Sequence, residues 1–122
     1  MSADDLDAYL RSISMTVERA TDANGIHYTV ARDVEITTGG LRGKRCDVAI
    51  QRVETTPYLA PAAIHTRPAL VVMDMSDPLR TQASALGADW QYWSRRFEHT
   101  PTPQRIWAHV LTVLGDGRWV PA

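Results

Sequence analysis

The sequence predicts an α+β fold in which helices are segregated from an antiparallel sheet. Three observations point there. Apolar residues recur at helical spacing over residues 2 to 20, the period changes to two between Ile26 and Ile50, and helical spacing returns from Leu86 to Leu114. Residues 1 to 122 read as a single domain, a length that buries roughly two thirds of the unfolded surface around one core.

In the first segment Leu6, Tyr9, Leu10, Ile13, Val17 and Ala20 define one apolar face, so an amphipathic helix is expected over residues 2 to 20. Ser2 suits its N-cap, and Asp4 and Asp5 suit the positive end of the helix dipole. Asn24-Gly25 marks its end. Ile26, Tyr28, Val30, Val34 and Ile36 then alternate with polar positions, with Arg32 breaking the pattern, which predicts a strand or a bulged strand. "TTGGLRGK" reads as a hairpin loop, and Cys46, Val48 and Ile50 predict the returning strand with Cys46 on the apolar side. Three prolines in "ETTPYLAPAAIHTRP" predict an extended edge segment crossing the fold. "ALVVMDM" predicts a short buried strand, and residues 76 to 83 a loop around Pro78. Leu86, Trp90, Trp93 and Phe97 predict a helix over 84 to 97. Thr102 as N-cap and Pro103 in the first turn open a last helix that stops at Gly115, with Ile106, Trp107, Val110, Val113 and Leu114 facing the core. The expected architecture is an N-terminal helix, an antiparallel meander sheet, an extended proline-rich crossing and two C-terminal helices.

Composition narrows the function. With 44% hydrophobic residues, 22% charged residues and a formal charge of −1, the chain reads as an ordinary globular protein whose field attracts neither nucleic acid nor an anionic membrane. Cys46 is the only cysteine, which excludes an internal disulfide and favours a reducing cytoplasm. "MSADDLDAYLRS" lacks the basic and apolar regions of a signal peptide, and no apolar run approaches membrane-spanning length. Lys44 is the only lysine among 13 basic residues, a bias that fits either bidentate recognition or base composition.

Chemistry is sparsely signalled. His27, His65, His99 and His109 show no metal-ligand spacing, so neither a metal nor a cofactor is expected. His27 and His65 read as strand residues facing solvent or a satisfied partner. Asp74 and Asp77 fit either paired acid and base work or turn formation. No phosphate loop, nucleophile elbow or triad motif occurs. In "ADWQYWSRRFEH" the face of Trp90, Trp93 and Phe97 packs inward, while Tyr92, Arg95, Arg96 and His99 project elsewhere as an Arg-aromatic patch or a solvated face.

The order of elements, the segment "TPYLAPAAIHTRPALV" and the motif "WQYWSRRF" resemble the bacterial ubiquitin-conjugating-enzyme-like family, in the branch called family E. Pro57, Tyr58, Pro61, Trp90, Gln91, Trp93, Ser94, Arg95 and the pair His109-Val110 carry the resemblance, which covers nearly the whole chain. It implies a UBC-like fold and a bacterial pathway whose partners are a ubiquitin-like protein and its activating enzyme. In such relatives a cysteine between the buried strand and the tryptophan helix holds the ubiquitin-like protein as a thioester; residues 74 to 89 contain none, and Arg96 stands where the family has histidine. Cys46 is expected to be buried and unreactive. The resemblance therefore implies a member that forms no thioester and docks its partners, with Asp7, Arg11 and Glu18 as candidate contacts by analogy with the first helix of relatives. An oxyester route is the alternative. Ser76, Thr81 and Ser84 lie in the right interval, with His99 or Asp77 as the base a hydroxyl nucleophile requires. A further alternative is an RWD-like structural or interaction module with no role in conjugation.

Overall fold

The computed structural model describes residues 1–61, 63–71, 81–94 and 101–116. It is an α+β fold in which, among the described residues, one helix precedes and one follows the strands of a six-stranded antiparallel sheet in chain order. Helix α1 spans Ala3–Ser12, followed by strands β1 (Thr16–Thr21), β2 (His27–Glu35), β3 (Arg45–Gln51), β4 (Ala63–Arg67), β5 (Thr81–Ser84) and β6 (Gly87–Ser94), and by helix α2 (Pro103–Gly115). The spatial order is β1-β2-β3-β4-β6-β5.

Helix α1 opens with a capping box. The Ser2 hydroxyl accepts from the Asp5 N–H and the Asp5 carboxylate accepts from the Ser2 N–H, satisfying two donors that the helix leaves free. The helix is shorter than its apolar stripe predicts. It ends at Ser12, Ser14 turns the chain at φ 68°, and residues 16–21 form β1 instead of the last helical turns. The spacing misleads for a physical reason: Val17 and Ala20, three apart, lie on opposite faces of a strand that is apolar on both. Asn24-Gly25 accordingly sits in the β1–β2 turn, with Gly25 at φ 80°.

The β2–β3 hairpin forms where the alternation predicts it and Cys46 is buried on the inner face, but the expected single apolar face divides: Val34 and Ile36 join the core of Cys46, Val48 and Ile50, whereas Tyr28 and Val30 lie on the opposite face and Ile26 is exposed. The exception at Arg32 marks a bulge: pairing shifts between Ala31 and Val34, and Asp33 adopts φ 55°. In the loop, Gly39 at φ 80° lies so close to the end of α2 that a side chain there would overlap the Gly115 carbonyl.

Four expectations are corrected between residues 52 and 94, the first being the loop over 76 to 83, whose described end is part of strand Thr81–Ser84. The proline-rich crossing is irregular through Pro61, but Ala63–Arg67, the proline-free stretch between Pro61 and Pro68, forms a central strand paired on both sides. The segment expected as a helix over 84 to 97 is strand β6 through Ser94, so the described fold has one C-terminal helix, not two. Trp90 and Trp93 again lie three apart on opposite faces of a strand. Of the expected strand "ALVVMDM", Leu70 and Val71 are not in a strand; their N–H groups bond the buried Gln91 side chain instead, and residues 72–75 lie outside the described residues. Helix α2 begins and ends as predicted, with Thr102 capping Arg105, and buries Ile106, Trp107, Val110, Val113 and Leu114.

Both helices cover one face of the sheet, where Leu6, Leu10, Val48, Ile64, Trp93 and Val110 join one core. The other face carries a smaller cluster of Tyr28, Val30, Ala49 and Trp90. The sheet curls over this second face until its two outer hairpins touch. The Ala23 N–H in the β1–β2 turn donates to the Ala85 carbonyl in the β5–β6 turn at 3.3 Å. Among the described residues no helix is long and apolar enough to cross a membrane.

Candidate functional site

The curled face brings together a cluster of polar side chains at the meeting of the two hairpins. Register places His65 on β4 opposite Tyr92 on β6, with Ala49 on its other flank. The His65 ring lies edge-on to Tyr28 at 5.0 Å and to Tyr92 at 5.2 Å between ring centres. Its Nδ1 is 2.7 Å from Ser84 Oγ at the end of β5, and Ser84 Oγ also accepts from the Leu86 N–H at 3.1 Å. With Ser84 as donor to Nδ1, the imidazole carries its own proton on Nε2. Of the two readings left open for His65, the satisfied partner is the one realised.

Burial sets the charge state. Desolvation holds the His65 ring at a pKa of about 4, so it is neutral at pH 7 despite attraction from Asp22. Asp22, in the β1–β2 turn, is nearly buried, which pushes its pKa upward; bonds from the Tyr28 hydroxyl at 2.8 Å and from the Ile26 and Asn24 N–H groups outweigh this and hold the carboxyl below the usual range. Burial first, and then the same bond to Asp22, raise the Tyr28 hydroxyl well above the usual phenol range. These groups border a cavity of about 300 Å³. Chemically, Ser84 and His65 make a hydroxyl–imidazole contact of nucleophile–base type. Among the described residues no carboxylate bonds the imidazole as the orienting acid of a triad would, since Asp22 engages Tyr28, and a ring held at about 4 is a weaker base than free imidazole.

The residues singled out by sequence divide sharply. Ser84 and Tyr92 meet at this cluster. Thr81 opens β5, paired with Trp93. Ser76, Arg95, Arg96 and His99 lie outside the described residues, as does Asp77. The base that Ser84 contacts is His65, which sequence reading did not assign; its only sequence signal is an imidazole amid the apolar run that became β4.

A second polar cluster corrects the reading of Asp7. Asp7 is an interior residue, 2% exposed, not a surface contact. It accepts from Thr29 Oγ1 at 2.6 Å and from the guanidinium of Arg52 at 2.6 Å, which itself reaches Asp4 at 2.6 Å. This network pins α1 to β2, because each buried polar group finds a partner. Arg11 remains exposed at the last turn of α1. Glu18 is exposed too, but on strand β1 rather than on the helix, paired with Arg32 at 2.9 Å.

Cys46 is 3% exposed, and burial, with a smaller contribution from Asp47, pushes its thiol up to about 12. Among the described residues no three His, Cys, Asp or Glu side chains gather as a metal set. Compared with known proteins, the chain matches no family model, no curated protein and no solved structure.

Proposed function

We propose that this chain is a ubiquitin-conjugating-like docking domain of a bacterial modification pathway, binding a ubiquitin-like protein or its activating enzyme without forming a thioester. The observation that carries the second half of this reading is Cys46: a thiol buried beneath the helices and raised to about 12 presents no thiolate to an incoming thioester. The first half is supported by α1 followed by the antiparallel succession β1 to β4, the element order that the resemblance implies for the first part of the chain. Support comes from that half, since "WQYWS" lies in a strand where the family resemblance implies a helix. The exposed Arg11 on α1 and the exposed Glu18 on β1 are the candidate contacts that survive the correction of Asp7.

The test is incubation with a bacterial ubiquitin-like protein and its cognate activating enzyme, with ATP, followed by size-exclusion chromatography and intact-mass measurement. A noncovalent complex weakened by Arg11→Glu and no thiol-labile adduct is the expected result. A thiol-labile adduct on Cys46 overturns the reading, and failure to bind either partner leaves the RWD-like interaction module.

One observation favours a second reading, the 2.7 Å contact of Ser84 with His65. In that reading the Ser84 hydroxyl attacks the carbonyl of the activated thioester, its proton passes to His65, and the sulfur leaves as thiolate, which takes that proton back from the imidazolium to give the free thiol and the Ser84 oxyester. A thiol-resistant, hydroxylamine-labile adduct that disappears in Ser84→Ala identifies it.

A further inference from the structure

The cavity between the two hairpin turns plays no part in the docking reading. At about 300 Å³ it has room for a small organic molecule rather than a macromolecule. The space exists because Ala63, Ala83 and Ala85 line it, side chains too short to fill it.

Its chemistry has one sign. Asp22 supplies a carboxylate, the rings of Tyr28 and Tyr92 add aromatic surface, and among the described residues no lysine or arginine lines the cavity. His65, the remaining titratable ring, is neutral. Of the roughly four acceptor positions a carboxylate offers, Asp22 uses three on donors among the described residues, the Tyr28 hydroxyl and the N–H groups of Asn24 and Ile26. Those bonds fix the group rigidly and leave one position for a ligand N–H. An anion would meet an unshielded carboxylate with no compensating cation, whereas an ammonium group gains a charge-assisted hydrogen bond and faces aromatic rings.

We infer that this cavity binds a small organic ammonium ion, its N–H donating to Asp22 and its alkyl portion lying against Tyr28, Tyr92 and the alanines. The inference is independent of the docking role. NMR titration with n-butylammonium, using n-butanol as the neutral isostere and following the ring signals of Tyr28, His65 and Tyr92, reads it directly. Saturable shifts with butylammonium are expected, with affinity reduced about tenfold or more for butanol and in Asp22→Asn, the size of effect carried by one charge-assisted hydrogen bond. Because Asp22→Asn also weakens the β1–β2 turn, Ala85→Leu supplies a second variant that fills the cavity from an exposed turn position and keeps every bond to Asp22; it should abolish the shifts. Equal affinity for butanol, or butylammonium shifts that persist in Ala85→Leu, overturns the site. A blocked lysine amide in place of butylammonium then separates sources: tighter binding assigns a protein side chain and weaker binding a free amine, both upholding the ammonium site.

Discussion

The two faces of the sheet are stabilised by different physics. The face beneath α1 and α2 is a continuous apolar core with Trp93 fully buried and one enclosed ionic network at Asp7 and Arg52. The opposite face has no helix over it among the described residues and is closed by its own hairpins, by aromatic edges around His65 and by the Arg67 guanidinium, 4.6 Å from the centre of the Trp90 ring. Arg67 is in turn held by Asp47, which also binds Arg32. The comparison teaches that burial alone does not distinguish core from site. Trp90 and Trp93 are both buried, yet Trp93 belongs to the apolar core, whereas the face of Trp90 also carries the cavity bordered by Asp22, Tyr28 and His65.

The contrast can be broken first at the tryptophans. Trp93→Ala should cost about 3–5 kcal/mol, because it opens a cavity in the main core and strips the Thr66 hydroxyl of the indole N–H it accepts at 3.0 Å. Trp90→Ala should cost roughly half of that, since its cluster is small and Arg67 can collapse into the space. Equal losses in urea denaturation would erase the distinction between the faces.

Next in size is the ionic network. Asp7→Ala should destabilise by about 3 kcal/mol, because Arg52, with a side chain only 5% exposed, keeps its charge and loses its buried partner. Asp4→Ala, at a carboxylate 80% exposed, should cost less than about 1 kcal/mol. A comparable loss in both would show that Asp4 anchors Arg52.

The curled face should announce itself through pH. His65 titrates at about 4 in the fold against 6.5 when unfolded, so between those values the unfolded chain binds the additional proton. Stability contributed by the neutral ring is complete above 6.5 and is lost as pH falls toward 4, a change on the order of 3 kcal/mol. His65→Gln should flatten the pH dependence of the urea midpoint in that window, whereas an unchanged slope would mean that the ring is solvated. The carboxyls of Asp22, Asp33 and Asp47, held below their ordinary value of 3.8, contribute in the same direction but at lower pH.

The smallest effect belongs to the surface pair of Arg45 and Asp33, 2.7 Å apart but mostly exposed. Arg45→Ala should leave stability nearly unchanged, because solvent screens the pair, with a thermal-melt difference near the limit of detection.

Local signals in the sequence sufficed wherever chemistry within a few residues decides structure. Ser2 and Thr102 cap their helices, Pro103 opens α2, the alternation from Tyr28 to Ile50 gives the β2–β3 hairpin, and Cys46 falls inside. The site was far less legible. Ser84 stood out only as a hydroxyl in an interval, and its contact with His65 spans 19 positions of sequence, bridged by strands whose pairing no local pattern specifies.

By itself, then, the sequence determined the α+β class, the N-caps of both helices and the end of the last one, the central hairpin and the burial of Cys46, because caps, turns and period-two alternation act over a few residues. Only the tertiary structure decided that Val17 and Ala20, and likewise Trp90 and Trp93, belong to strands. An apolar spacing of three fits one side of a helix, but equally fits a strand that is covered on both faces. Which of the two forms depends on whether something distant covers the second face, and here the touching hairpins of β1–β2 and β5–β6 do so.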